Sequence, residues 1–269
     1  MELTATKLKI EKFFFTSGTN IALRAATRRP TYRRFRDRLE KAYLAQVKPF
    51  EDEFLISQLL ITEINVEVVN RSMPQLESMF IFDFLKWGAN KGGEAALNRI
   101  AAIVNKFEKA ASFDLENRNI LAFLASRADN ARDVLQNTSR EWVVKQAEIG
   151  FREGLTSSEI ADMITEKVPS MAKHRAEAAA HTELANAMGT TSIETYRRNG
   201  LEFHTWQTSQ DDRVSDVCVA NGEQDAIPIG NEFVSGATHE PQHVRCRCWT
   251  EPHVPDNFTF DFESAWKGE

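Results

Sequence analysis

The cysteines and histidines near the end of the chain carry the densest chemistry. All three cysteines (Cys218, Cys246, Cys248) fall in the last 52 residues, and "ATHEPQHVRCRCWTEPH" (237–253) adds three histidines. On a strand, Cys246 and Cys248 at i and i+2 point to one face, so both thiolates can reach one ion. Adding Cys218 and His243 makes a Cys3His tetrahedron of the structural zinc type, with His239 as the reserve ligand. Two other readings stay open. The thiols can pack as small buried hydrophobes while His243 and Arg247 hydrogen-bond the loop, or Cys218 can pair with one of the other two in a disulfide. An odd cysteine count and a reducing cytosol both weigh against a disulfide framework.

An enzyme reading draws on the same region. Asp211, Asp212, Asn221, His239 and His243 are raw material for a metal-dependent nuclease. Four protein ligands, however, close the coordination sphere and leave no position for water or substrate. The expectation is therefore a structural clasp with no catalytic residue. A salt link from Asp211 or Asp212 to Arg245 or Arg247 would staple the two ends of this region. Trp206 reads as its core aromatic.

A second feature is electrostatic. The net charge of -6 conceals +8 in residues 1–50 and -14 in the rest. Between Arg24 and Lys41 lie eight basic residues against Asp37 and Glu40. Arg28, Arg29, Arg33, Arg34, Arg36 and Arg38 could grip double-stranded DNA through its phosphates, without sequence preference. The same face could instead dock on an acidic protein neighbour.

The elements that position these groups read as mostly helical. Composition is that of an ordinary globular chain, with 42% hydrophobic and 27% charged residues,. No apolar run of about 18 residues suggests a membrane span. The opening "MELTATKLKIEKFFFTSG" is too poor in apolar length to be a secretory signal.

Pro30 opens a helix from its first turn, with Phe35, Leu39 and Leu44 as its apolar stripe. Residues 50–70 read as a helix on length, ended by Pro74. Another follows over 76–93, closing at Gly88 or at Gly92–Gly93, and a further one spans 94–111. Helical spacing runs from about Arg118 to Phe151. Gly154 stops that helix, and Thr156 with Glu159 forms a capping box for the next, which Pro169 ends at Val168. An alanine-rich helix follows over 172–200, with Gly200 as its stop. From Leu201 turn residues and short stretches replace this periodicity, and Asn221–Gly222 signals a hairpin. The expected fold is a mainly α body with a small C-terminal α+β module. Three segments follow: a basic arm with helices (1–75), a helical body (76–200), and a β-containing module with tail (201–269).

In that order the motifs resemble a known family. "RAEAAAHTE" (175–183), "YRRNG" (196–200), "WQTSQDDRVSDVC" (206–218) and "PQHVRCRC" (241–248) follow Gly154 and the capped helix. From about Ser112 to Pro252 the chain resembles the phage minor head, or head morphogenesis, proteins typified by the F protein of phage Mu. His181 stands where that family often has arginine, and Ser215 where the first cysteine of a Cys-x-x-Cys would be. The resemblance implies a low-copy virion component of the capsid interior, assembled in the host cytoplasm. It also implies partners among the portal protein and the major capsid or scaffolding protein, and a part in DNA packaging or ejection. Glu183 and Arg175 are expected to anchor their helix to the terminal module.

Overall fold

In the computed structural model the described residues are 21–59, 66–103 and 112–255. The end of the helix expected over 94–111, the middle of the 50–70 stretch and both chain ends lie outside them. The fold class is as expected: helices dominate, and one small antiparallel sheet sits on the C-terminal side. The helices are α1 (Ile21–Thr27), α2 (Pro30–Val47), α3 (Glu53–Leu59), α4 (Val66–Ser72), α5 (Ser78–Ile103), α6 (Arg118–Arg152), α7 (Ser157–Arg198) and α8 (Asp216–Gly222). A 3-10 turn, Lys48–Glu51, links α2 to α3. The strands are β1 (Phe203–Gln207), β2 (Ile227–Pro228) and β3 (Trp249–His253).

The described residues form two compact units. One holds 21–29, 85–103, 112–124 and 181–255; the other holds 30–59, 66–84 and 125–180. Both units draw residues from either side of the boundary read at 75, and the first also spans the one read at 200. Helices α5, α6 and α7 each contribute a segment to both, which no composition shift along the sequence marks.

Two expected helix ends are absent. Pro169 lies inside α7, which runs unbroken for 42 residues. An interior proline costs about 3 kcal/mol. Against that cost stands one buried residue every fourth position: Ile160, Ile164, Val168, Ala172, Ala176, Ala180 and Leu184. That stripe keeps a single phase across the proline, which itself faces solvent. Likewise Gly88, Gly92 and Gly93 do not stop α5. A Cβ on Gly92 would lie 2.5 Å from Met188 O, and one on Gly88 3.1 Å from Ala187 Cβ. Gly92 lets α5 and the C-terminal half of α7 touch backbone to backbone, while Gly88 leaves room for Ala187 and Leu184 and Gly93 for the Phe113 ring.

Other local signals hold. Asn117 Oδ1 accepts from the backbone of Asn119 (2.7 Å) and Ile120, capping α6,. Gly154 takes φ +73°, as the turn after α6 requires,. Thr156 N donates to Glu159 Oε2 at 2.7 Å, and Glu159 N returns a bond to Thr156 Oγ1 at 3.3 Å. This is the reciprocal cap that orients α7.

The unit containing 30–59 is held by an apolar core from α2 through α7, including Val47, Phe50, Ile56, Leu59, Val143, Ile160 and Ile164. Phe35 stacks on Phe84 with centroids 3.7 Å apart. Gln136, buried, clamps the turn before α5: its Nε2 donates to Pro74 O (3.2 Å) and its Oε1 accepts from Leu76 N (3.1 Å). Arg175 belongs to this core, its guanidinium 4.8 Å from the Tyr43 ring and bonded to Thr138. It does not reach the terminal module, because its helical position faces α2 and α6.

In the other unit, Ala96 and Ile100 of α5 pack on Ile193, Tyr196 and Leu201. Arg99 donates to Tyr196 Oη (3.1 Å) and Thr250 O (3.3 Å), tying α5 to β3. The sheet order is β2-β1-β3, with Trp206 paired to Thr250 and Gln207 to Trp249. The hairpin expected at Asn221–Gly222 does not form. Both residues end α8, where buried Asn221 donates to Ser235 Oγ (2.9 Å) and accepts from Ser235 N (3.2 Å). A pairing partner for the side-chain amide outweighs the local turn preference.

His204 of β1 is fully buried, its ring 5.0 Å from Phe233, and neither nitrogen has a hydrogen-bond partner. Burial, with a smaller contribution from the charge of His239, pushes its pKa down to about 4. The unfolded chain therefore takes up this proton first, near pH 6.5. Stability is full above that pH and falls as the pH drops toward 4, by about 3 kcal/mol in all. His204→Phe is expected to flatten that stretch of the stability profile, measured by chemical denaturation between pH 7 and pH 4. An unchanged slope in the variant counts against the assignment.

Candidate metal centre

The module's small sheet and one short helix bring the cysteines together. Ser215, in extended conformation, precedes α8 and turns Cys218 inward. β3 pairs with β1 from Trp249 onward, which fixes Cys248 one residue before the ladder begins. Cys246 follows Arg245, whose φ of +60° bends the chain, and its N–H donates to His243 O at 3.1 Å. Cys246 and Cys248 thus lie on a bent loop before β3 rather than on a strand, yet their thiols converge.

The three sulfurs lie within 4.8 Å of one another, and Cys218 Sγ is 3.8 Å from Cys246 Sγ. All three cysteines are reduced, and none is more than 2% exposed. Zinc–sulfur bonds of about 2.3 Å imply tetrahedral S···S edges of about 3.8 Å. The trio therefore fits a metal ion with little movement. Trp206, Ile227 and Phe233 enclose it on the apolar side, Trp206 meeting Phe233 edge-on at 5.2 Å.

Proton sharing inside the trio is uneven. The thiols of Cys246 and Cys248 donate toward Cys218 and hold its pKa well below that of an ordinary thiol, while the same bonding pushes Cys248 up. A bound cation would take the place of the thiol protons, since thiolates are the ligating form.

The other residues singled out in the sequence have separate positions. His243 is exposed, and its Nδ1–H donates to Val244 O at 2.9 Å, so the trio gathers without it. Spacing alone could not show that the turn faces this ring outward. His239 donates from Nδ1 to Glu240 O (2.5 Å) and accepts at Nε2 from Thr190 Oγ1 (3.1 Å). Asp211 is taken by Arg247, Nη2 standing 2.6 Å from Oδ1 and Nη1 bonded to Oδ2. That bidentate pair, reinforced by Arg213 N–H, holds the Asp211 carboxyl far below its usual range,. Of the four pairings considered, Asp211–Arg247 is the staple. Asp212 is exposed. Asp211, Asn221 and His239 are therefore engaged with separate partners, and none of the five nuclease candidates joins the cysteines.

The two residues that depart from the family motifs, Ser215 and His181, both lie close to the trio. Ser215 Oγ is buried beside Cys218 without a hydrogen-bond partner. His181 on α7 has its Nδ1 buried without a hydrogen-bond partner.

Among the six arginines, structure separates two groups. Arg36 is bound to Asp37 (2.6 Å), and Arg38 lies 3.8 Å from Glu77 and over the Phe80 ring. Arg28 and Arg29, in the turn between α1 and α2, and Arg33 and Arg34, on α2, are exposed. Among the described residues no carboxylate pairs with these four.

No described helix is long and apolar enough to cross a membrane. No curated protein and no solved structure matches the chain. A family model does match, and its span runs from within α6 to the last but two residues of β3, covering the capped helix, the Asp211–Arg247 staple and all three cysteines. Residues 112–140, which the motif resemblance takes in, lie outside it. Over residues 141–251 the chain matches the family described as Phage Mu protein F like protein.

Proposed function

We propose that this chain is a phage head morphogenesis protein, a low-copy component of the virion associated with the portal vertex inside the capsid. The observation that carries this reading is the family match over 141–251, with the matched residues from 181 onward folded into one unit that closes at the cysteines. Its partners are the portal protein and the major capsid or scaffolding protein, met during assembly in the host cytoplasm. The module is a clasp rather than a catalytic centre, and one structural zinc held by Cys218, Cys246 and Cys248 locks it. Mass spectrometry of purified heads from the parent phage tests the assignment directly. The chain is expected at a few copies per particle, and its absence from full and empty heads alike would sink the reading.

The exposed arginines supply the nucleic-acid or portal contact. Reversing Arg28, Arg29, Arg33 and Arg34 to glutamate removes four phosphate contacts if DNA is the partner. The slope of log affinity against log salt should then shrink by about 3.6, with incorporation into heads retained. If the arginines instead meet an acidic portal surface, the same variant keeps its DNA affinity and drops out of the particle. Unchanged DNA binding together with unchanged incorporation removes these arginines from either role.

A further inference from the structure

We propose that His181 supplies the fourth protein ligand to the metal held by Cys218, Cys246 and Cys248. This rests on the metal reading above and specifies its coordination. Two observations converge on it. First, the cysteine loop runs along the stretch of α7 that carries His181. Thr182 Oγ1, next to His181, accepts from the N–H of Arg245, next to Cys246, at 3.1 Å. Two turns on, a Cβ at Gly189 would stand 2.5 Å from Glu240 O, so the loop from 240 to 246 runs along this helix. Second, His181 Nδ1 is buried with no hydrogen-bond partner. A buried imidazole nitrogen without a partner is costly, and a cation satisfies it.

The sulfurs alone lie within the 4.8 Å cluster, so ligation draws the imidazole inward by rotation about its own side-chain bonds. The alternative neighbour is Ser215, whose neutral hydroxyl is a weak zinc ligand next to an imidazole. Cys3His replaces the set with His243 that spacing suggested, and the site remains closed to substrate. The two positions noted as departures from the family pattern, His181 and Ser215, thus sit at one cluster.

The test uses the full chain loaded with Co²⁺ and, in parallel, titrated with Zn²⁺ against a chromophoric chelator. Wild type is expected to show thiolate-to-cobalt charge transfer and visible bands of a tetrahedral three-sulfur, one-nitrogen site. His181→Ala is expected to weaken zinc at least about tenfold and to shift the visible bands, while His243→Ala leaves both unchanged. His181→Cys covers the case in which the alanine variant fails to fold, and should shift the spectrum toward a four-thiolate site. Equal affinity and an identical cobalt spectrum in wild type and His181→Ala overturn the proposal while leaving the trio as a metal centre. Failure of the wild type to bind either ion overturns the metal reading itself, and this inference with it.

Discussion

Treatment with a strong chelator is expected to release about one zinc per chain and to lower the melting temperature by about 10 °C. The size follows from where the ion would sit. The three sulfurs are the centre of the module's own core, packed with Trp206, Ile227 and Phe233, so removing the ion leaves three thiols sharing too few hydrogen-bond partners. Structural zinc contributes about 10–16 kcal/mol in isolated zinc-finger peptides. Here the sheet, the Asp211–Arg247 pair and the contacts to α7 persist without it, so the loss should be smaller, about 4 kcal/mol. For a protein of this size that corresponds to about 10 °C. Elemental analysis before treatment, and calorimetry before and after, provide the measurement. Thiol titration supplies the companion observation: the three cysteines should react slowly in the loaded protein and rapidly once it is stripped. Absence of zinc, with no response to chelator, assigns the cysteines to core packing alone.

Gly92→Ala is the second large effect, and its direction opposes helix propensity. Inside a helix alanine is about 1 kcal/mol better than glycine. At Gly92 the added methyl would meet Met188 O at 2.5 Å, Met188 Cα at 2.7 Å and Met188 C at 3.0 Å. These are backbone atoms of α7, which cannot rotate away, so α5 and α7 must move apart. Ile100, Ile193 and Tyr196 pack in the same seam and would lose contact with it. A destabilisation of about 4 kcal/mol is expected, at the upper end for a single substitution. Gly88→Ala is the milder comparison, since its methyl meets Ala187 Cβ and Leu184 Cδ1 at 3.1 Å: the Leu184 methyl can rotate away, and the Ala187 contact needs a shift of only a few tenths of an ångström. Denaturant unfolding of the pair should separate them by several kcal/mol. Equal stability of the two variants would show that this seam is not a rigid contact.

These glycines also show where sequence reading runs out. A glycine is compatible with a helix end and with a close helix crossing, and only the partner 96 residues away (Met188 for Gly92) decides between them. Pro169 poses the same problem in reverse. Its local rule says stop, but the buried stripe from Ile160 to Leu184 keeps its phase and overrides it. That stripe was present in the sequence, as a four-residue period of small and apolar residues, and counting it across the proline finds the long helix. Asn221–Gly222 was misleading because a turn preference of two residues is weaker than a buried amide satisfied by Ser235.

What the sequence by itself determined is local or composition-bound. The capping box at Thr156–Glu159, the stops at Gly154 and Gly200, the helical class, the small terminal module and the ordered family motifs all rest on neighbours within a few residues. So does the candidacy of the cysteines, because thiol chemistry belongs to the residue type. The tertiary structure alone decided which groups meet. It set Cys218 against Cys246 across 28 residues, chose Arg247 for Asp211 across 36, turned His243 outward, and laid the cysteine loop on the helix that carries His181. The physical reason is that a metal or salt-bridge geometry depends on distances of a few ångströms between distant segments. Those distances are fixed by packing and strand register, to which the spacing of residues along the chain gives no direct access.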